Sequence, residues 1–210
     1  MAEKQKIERT PLYTLCRVVF GVLLRTVCPV KYYNTQVLDR AEAPYILIAN
    51  HKSMIDPFVL ALPTKKYEIR YVGKRELTKN RLLEWAVKNL HMIPVSRHAT
   101  DMAAMRSCMQ VLKDGNVLGI FPEGTRHQPE LMQTVESGAA MIALRAGVPV
   151  IPVYISGRAR PFRRIHARVG EPMAFDDIKA QGINAESIQQ LCERMRETFY
   201  ALRDRDMQAK

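Results

Sequence analysis

Residues 45–49, Tyr-Ile-Leu-Ile-Ala, form an uninterrupted apolar run that follows turn-forming Pro44 and stops at the polar stretch Asn50-His51-Lys52-Ser53. Such a run reads as a buried strand that empties into a loop. Asp56-Pro57 then reads as a helix start, with Asp56 as N-cap and Pro57 at the first helical position, so that Phe58 to Leu62 continues as a short apolar helix. His51 and Asp56 stand on this strand-loop-helix corner with four residues between them. A loop entering a helix can fold the carboxylate against one imidazole nitrogen and leave the other facing a cleft. That arrangement suits a general base acting on a hydroxyl, because the carboxylate fixes the tautomer and stabilises the imidazolium. Taken alone, the pair reads more simply as a helix cap beside a loop histidine.

A second strand exit changes that reading. Asp114-Gly115-Asn116 is a turn, Val117 to Phe121 reads as a strand, Pro122 ends it, and Glu123-Gly124-Thr125-Arg126 follows. Arg126 offers a planar fork of donors suited to a phosphate monoester, and Gly124 lets the backbone approach a ligand closely. Together with Asn50-His51-x4-Asp56, this block resembles the glycerophospholipid acyltransferase family and, within it, the 1-acylglycerol-3-phosphate acyltransferases. Gly73-Lys74-Arg75-Glu76-Leu77, after a strand at 69–72, resembles the family's second motif, and Val148 to Ile155 resembles its fourth, an apolar strand near the acyl chain. His91 to Arg97 resembles the strand between the second and third motifs. The likeness spans roughly residues 40–170. One departure stands out: family members often carry an aromatic and a lysine just before Gly138-Ala139-Ala140, where this chain has Thr134-Val135-Glu136-Ser137.

The resemblance implies transfer of a fatty acyl group from a thioester to the sn-2 hydroxyl of 1-acylglycerol 3-phosphate, giving phosphatidic acid. His51 is then the general base and Asp56 the group that orients it. Lys74, Arg75, Arg97, Glu123, Gly124, Thr125 and Arg126 form the expected phosphate site. Neither metal nor cofactor is expected beyond the acyl donor itself, acyl-CoA or an acidic acyl-carrier protein. The oxyanion donors expected are backbone N–H groups near Gly124 or of the helix beginning at Pro57. Two other readings share these features: an acyltransferase for another lysophospholipid or amino-lipid, and a non-catalytic basic membrane-binding module.

Charge narrows the partners. A net charge of +11 predicts attraction to phospholipid headgroups, an acidic carrier protein or the phosphates of a thioester donor. Nucleic acid would answer to charge alone, but no recognised nucleic-acid module accompanies it, so none is expected. Residues 137–170 contain six arginines and no acid, with Pro161, Phe162 and Ile165 interleaved. Cations tipped with apolar side chains suit a lipid surface or an acyl-carrier protein. The four cysteines, Cys16, Cys28, Cys108 and Cys192, are scattered among apolar neighbours, which favours buried thiols in a reducing setting over disulfides or zinc.

The remaining pattern alternates strands with helices and predicts an α/β domain with a mostly parallel central sheet flanked by helices. Two units are expected: a basic, amphipathic membrane-associating segment over 1–31 and a catalytic domain over 32–210. The segment from Pro11 to Val30 has a wide apolar face and a narrow stripe of Thr14, Arg17, Gly21 and Arg25. Its longest apolar run is too short to span a bilayer, and no cleavage signal follows, so an interfacial helix on the cytoplasmic face of the membrane is expected. Further expectations are an edge strand near Thr35–Leu38, a helix over 78–88 with Leu82, Leu83, Trp85, Ala86 and Leu90 inward, and a Thr100-capped helix over 101–113 with a buried stripe of Met102, Met105 and Met109. Helices at 137–146, closed by Gly147, and at 185–204, capped by Asn184, complete the pattern.

Overall fold

The computed structural model describes residues 10–75, 81–95, 101–126 and 129–209. In chain order the elements are α1 (Pro11–Thr26), β1 (Val30–Tyr33), α2 (Gln36–Arg40), β2 (Tyr45–Ala49), α3 (Asp56–Ala61), β3 (Ile69–Lys74), α4 (Arg81–Asn89), β4 (Ile93–Val95), α5 (Met102–Lys113), β5 (Val117–Ile120), α6 (Ser137–Ala146), β6 (Val150–Ile155), β7 (Ile165–Val169), α7 (Asp176–Lys179) and α8 (Ala185–Gln208). The strands make one sheet in the order β1-β7-β6-β2-β5-β3-β4. From β6 to β4 all neighbours are parallel; β7 runs antiparallel to β6, and β1 follows β7. The expected mostly parallel α/β sheet is therefore what the chain forms.

The central strands β2, β5 and β6 are apolar and buried throughout because both faces of the sheet are covered there. Ile46, Ile48, Leu118 and Val150 point into a core shared with α5, α6 and α8. Their neighbours Leu47, Ala49, Val117 and Ile151 point the other way, against α1, α2 and α3. Gly119 is required within β5, since a Cβ there would lie 2.6 Å from both Ile69 Cγ2 and Tyr71 Cδ1.

Local chemistry explains most boundaries. Asn184 and Ser187 make a reciprocal capping box at the start of α8, and Gly147, with φ of 61°, closes α6. Asp101 caps α5, its side chain accepting from Ala104 N–H at 2.9 Å. The expected cap, Thr100, lies outside the described residues, as do the N-terminal nine residues and the side chains of Leu82 and Leu83.

Several expectations are corrected. Residues 36–40 form a helix rather than a strand, and the edge strand is β1, five residues earlier in the chain than expected, where it pairs with β7. Trp85 is 53% exposed, and among the described side chains of α4 Val87 is the buried one. Met102 points outward while Met105 is buried, so the methionine stripe is only partly core. Cys28 and Cys108 are buried, whereas Cys16 and Cys192 are half-buried.

The polarity of α1 is the largest surprise. Its arginine stripe turns inward at Arg17, whose guanidinium donates to the carbonyls of Ala61, Leu62 and Thr64 at the end of α3. Those carbonyls are the ones a helix C-terminus leaves without intrahelical partners. With Phe20 stacked on Phe58 at 3.5 Å and Gly21 buried against the same helix, the opposite face of α1 presents Leu15, Val18, Val19 and Val22, each more than half exposed. No described helix is long and apolar enough to cross a membrane.

Candidate active site

Because β2, β5, β3 and β4 are parallel neighbours, their C-terminal ends open on one edge of the sheet. Carried past the last ladder pair, the register of β2 and β5 sets His51 opposite Glu123, and that of β3 and β5 sets Lys74 opposite Pro122. The blocks around His51, Lys74 and Arg126 therefore share this edge.

His51 Nδ1 lies 2.8 Å from Asp56 Oδ2. A carboxylate only accepts, so Nδ1 carries the proton and Nε2 presents its lone pair. Asp56 is fully buried and is not an N-cap, in contrast to the sequence expectation. It is the first residue of α3, and its carboxylate turns back into the loop, where it accepts from the N–H groups of Lys52 and Ser53 at 2.6 and 2.7 Å and from Ser53 Oγ at 2.6 Å. Four donors thus hold one carboxylate, and the loop from His51 to Ser53 is folded around it.

The imidazole face is fixed separately. His51 stacks on Phe121 with ring centroids 4.1 Å apart, and Phe121 stacks in turn on Tyr71 at 6.2 Å. Tyr71 is anchored by its hydroxyl, which donates to Pro57 O at 2.5 Å. The sequence reading did not single out Phe121 or Tyr71. Their pairing depends on the β3–β5 register, which residue order alone does not state.

Glu123 is buried and joins three segments. Its Oε2 accepts from His51 N–H at 2.6 Å and its Oε1 from Met132 N–H at 2.9 Å. An acid so engaged repels rather than attracts a phosphate, so Glu123 is placed as a clasp between the two motif loops. Asn50, also fully buried, extends the β2–β6 ladder with its side chain, donating to Ile155 O at 2.9 Å and accepting from Ile155 N at 2.7 Å.

The cations differ in availability. Arg126 is half-buried and Lys74 exposed, and among the described residues neither forms a salt bridge. Arg75 lies 3.2 Å from Asp101 Oδ2, so any anion must share it. Arg97 lies outside the described residues. Gly124 has φ of 62°, and a Cβ there would meet Glu136 Cγ and Oε1 at 3.0 Å. The acid that departs from the family pattern thus sits directly on the motif loop. Three of the expected oxyanion donors are engaged within the fold: Gly124 N–H donates to Phe121 O at 3.0 Å, and Phe58 and Val59 N–H both donate to Ile55 O. Among the described residues no cluster of His, Cys, Asp and Glu could hold a metal ion.

A sequence profile of the family described as Acyltransferase matches residues 29–156, from just before β1 to the end of β6, so the match encloses this whole edge. The chain belongs to the Acyltransferase family. Two relatives carry the description 1-acyl-sn-glycerol-3-phosphate acyltransferase. That from Streptococcus pneumoniae is 30% identical over 81% of this chain and 65% of its own length. That from Bacillus subtilis is 29% identical over 70% of this chain and 72% of its own. The chain thus spans about two thirds to three quarters of these acyltransferase relatives. The crystal structure of PlsC, the 1-acyl-sn-glycerophosphate acyltransferase of Thermotoga maritima, superposes with a TM-score of 0.62 at 22% identity, covering 89% of this chain and 76% of that one. At that identity it establishes that the two acyltransferases share a fold.

Proposed function

We propose that this acyltransferase moves a fatty acyl group from a thioester to the sn-2 hydroxyl of 1-acylglycerol 3-phosphate. The observation that carries the reading is the His51–Asp56 contact, in which a fully buried acid orients a histidine on the sheet edge that also bears Lys74 and Arg126. His51 Nε2 removes the hydroxyl proton as the oxygen attacks the thioester carbonyl. The tetrahedral intermediate expels the thiolate, which takes the proton from the imidazolium and leaves as the thiol, while the ester forms. No acyl-enzyme is required, because the substrate supplies the nucleophile.

Lys74 and Arg126 hold the phosphate, with Thr125 and the backbone at Gly124 beside it and Arg75 and Arg97 at its margin. Each charge-assisted contact contributes about 1.5–3 kcal/mol, so two or three select a phosphate over a neutral headgroup. The relatives' descriptions support this acceptor. The donor is acyl-CoA or acyl-carrier protein. The exposed apolar face of α1 rests on the cytoplasmic leaflet, where the acceptor resides.

Thiol release with lysophosphatidate, assayed with each donor in turn, tests the reading. His51→Ala should slow turnover by roughly 10²–10⁴-fold. Arg126→Ala should chiefly raise KM for lysophosphatidate. Wild-type turnover in His51→Ala would remove the base assignment, and no thiol release from either donor would remove the reaction.

A further inference from the structure

The connection between β6 and β7 carries Arg158, Arg160, Arg163 and Arg164, all exposed, around a tight turn. Arg163 N–H donates to Arg160 O at 3.2 Å, which puts Pro161 and Phe162 at the tip. Phe162 has φ of 58° and is 83% exposed, the most exposed of the large apolar side chains among the described residues. This position in a turn normally takes Gly or Asn, and a bulky residue there is strained. A solvent-facing tip gains nothing from holding an aromatic ring in that conformation.

Topology gives the ring a neighbourhood. β6 is parallel to β2, so the turn rises from the edge that bears His51. Phe162 N–H donates to Val27 O and Ile165 N–H to Pro29 O, joining the turn to the end of α1. The exposed Leu15, Val18, Val19 and Val22 of α1 lead through exposed Arg25 to this point. The exposed apolar residues of α1 and the aromatic tip are thus joined at the end of one helix, with Arg25 and the turn's arginines between and around them and no acid anywhere between residues 137 and 170.

We infer that the Arg160–Arg164 turn is a second membrane-docking point, in which Phe162 enters the acyl boundary of an anionic bilayer and the arginines bind lipid phosphates. It deepens the proposed function, because it rests on α1 facing lipid. The observations favour a bilayer over an acidic carrier protein: the tip is an exposed aromatic ringed by arginines and tied to the end of a helix whose exposed face is apolar, the form that interfacial insertion uses, with anionic lipid attracting the surrounding arginines.

The test uses the full chain and sedimentation with vesicles of phosphatidylcholine, with and without phosphatidylglycerol. Phe162→Gly relieves the backbone strain, so it should fold at least as well as wild type while weakening vesicle binding roughly tenfold or more. Arg163→Glu should weaken binding roughly fivefold on anionic vesicles and leave zwitterionic vesicles unaffected. Phe162→Trp in a Trp85→Phe background provides a single emitter whose fluorescence should shift to the blue on anionic vesicles and be quenched by brominated acyl chains. Vesicle binding of Phe162→Gly equal to wild type, or no emission shift, overturns the inference. So does loss of acyl-carrier-protein binding in Arg163→Glu with vesicle binding intact. Turnover of detergent-dispersed lysophosphatidate should be unchanged in Phe162→Gly. Absent turnover in wild type counts against the proposed reaction alone.

Discussion

The ring of His51 lies 4.1 Å from that of Phe121, with 22° between their planes. The imidazole is therefore held by two constraints of different kinds, a carboxylate on one nitrogen and an aromatic slab on one face. Phe121→Ala removes the slab and leaves the carboxylate. Turnover should fall about tenfold with KM for lysophosphatidate little changed, since a misaligned base affects the chemical step first. Steady-state kinetics on the folded variant decide this, and an unchanged kcat would remove Phe121 as a positioning residue.

Asp56 serves both stability and orientation. Asp56→Asn replaces a buried carboxylate, which accepts from Lys52 and Ser53 N–H, Ser53 Oγ–H and His51, by a neutral amide, so these bonds lose their charge assistance and the amide NH2 can turn His51 Nδ1 into an acceptor. Stability should drop by about 2–4 kcal/mol, and turnover by roughly 10³–10⁴-fold through loss of the working tautomer. Urea unfolding and kinetics on the same preparation measure both.

Asn50 replaces a ladder pair with a side chain. Asn50→Ala strands the N–H and C=O of buried Ile155, at a cost of about 2–4 kcal/mol in urea unfolding. A change within about 0.5 kcal/mol would mean that the strand end repairs itself.

Gly124 carries two separable penalties. Gly124→Ala should cost about 1–2 kcal/mol from its left-handed backbone and more from the Glu136 side chain, 3.0 Å from the new Cβ. Adding Glu136→Ala should recover the second part and not the first. Equal thermal midpoints for the single and double variants would show that Glu136 yields without cost.

Burial, with a smaller effect from the Asp101 charge, pushes the Cys108 thiol up from about 9 to about 12. The raised value belongs to the folded state, so the unfolded chain releases its proton first. This contribution is intact below pH 9 and is lost as pH rises towards 12. Native Cys108 should accordingly resist a disulfide reagent at pH 8 and react on unfolding. Rapid native labelling at this position, read by mass spectrometry, would contradict the burial.

What the sequence disclosed follows from how local each interaction is. β2, β5 and α6 were legible because an apolar run with a breaker at its end needs no partner to be recognised. The His51–Asp56 contact was legible because its spacing is short, yet the capping role assigned to Asp56 was wrong. The N–H groups it satisfies belong to the preceding loop, not to the helix it begins. Glu123, Phe121 and Tyr71 act across strands, so their roles depend on a register that residue order does not state. The same is true of α1. An arginine stripe on an apolar helix reads as a solvent edge unless one knows that the carbonyls ending α3 lie opposite Arg17.

That guanidinium has a mechanical consequence. Clamped to the end of a helix whose first residue holds the His51 imidazole, α1 is not free to swing as a tether would. If, as proposed, the molecule rests on a bilayer through this helix with His51 as its base, that nitrogen sits at one fixed height. On that proposal the acceptor would be met by lateral diffusion, and a lipid whose hydroxyl lies deeper than that plane would have to rise to reach it.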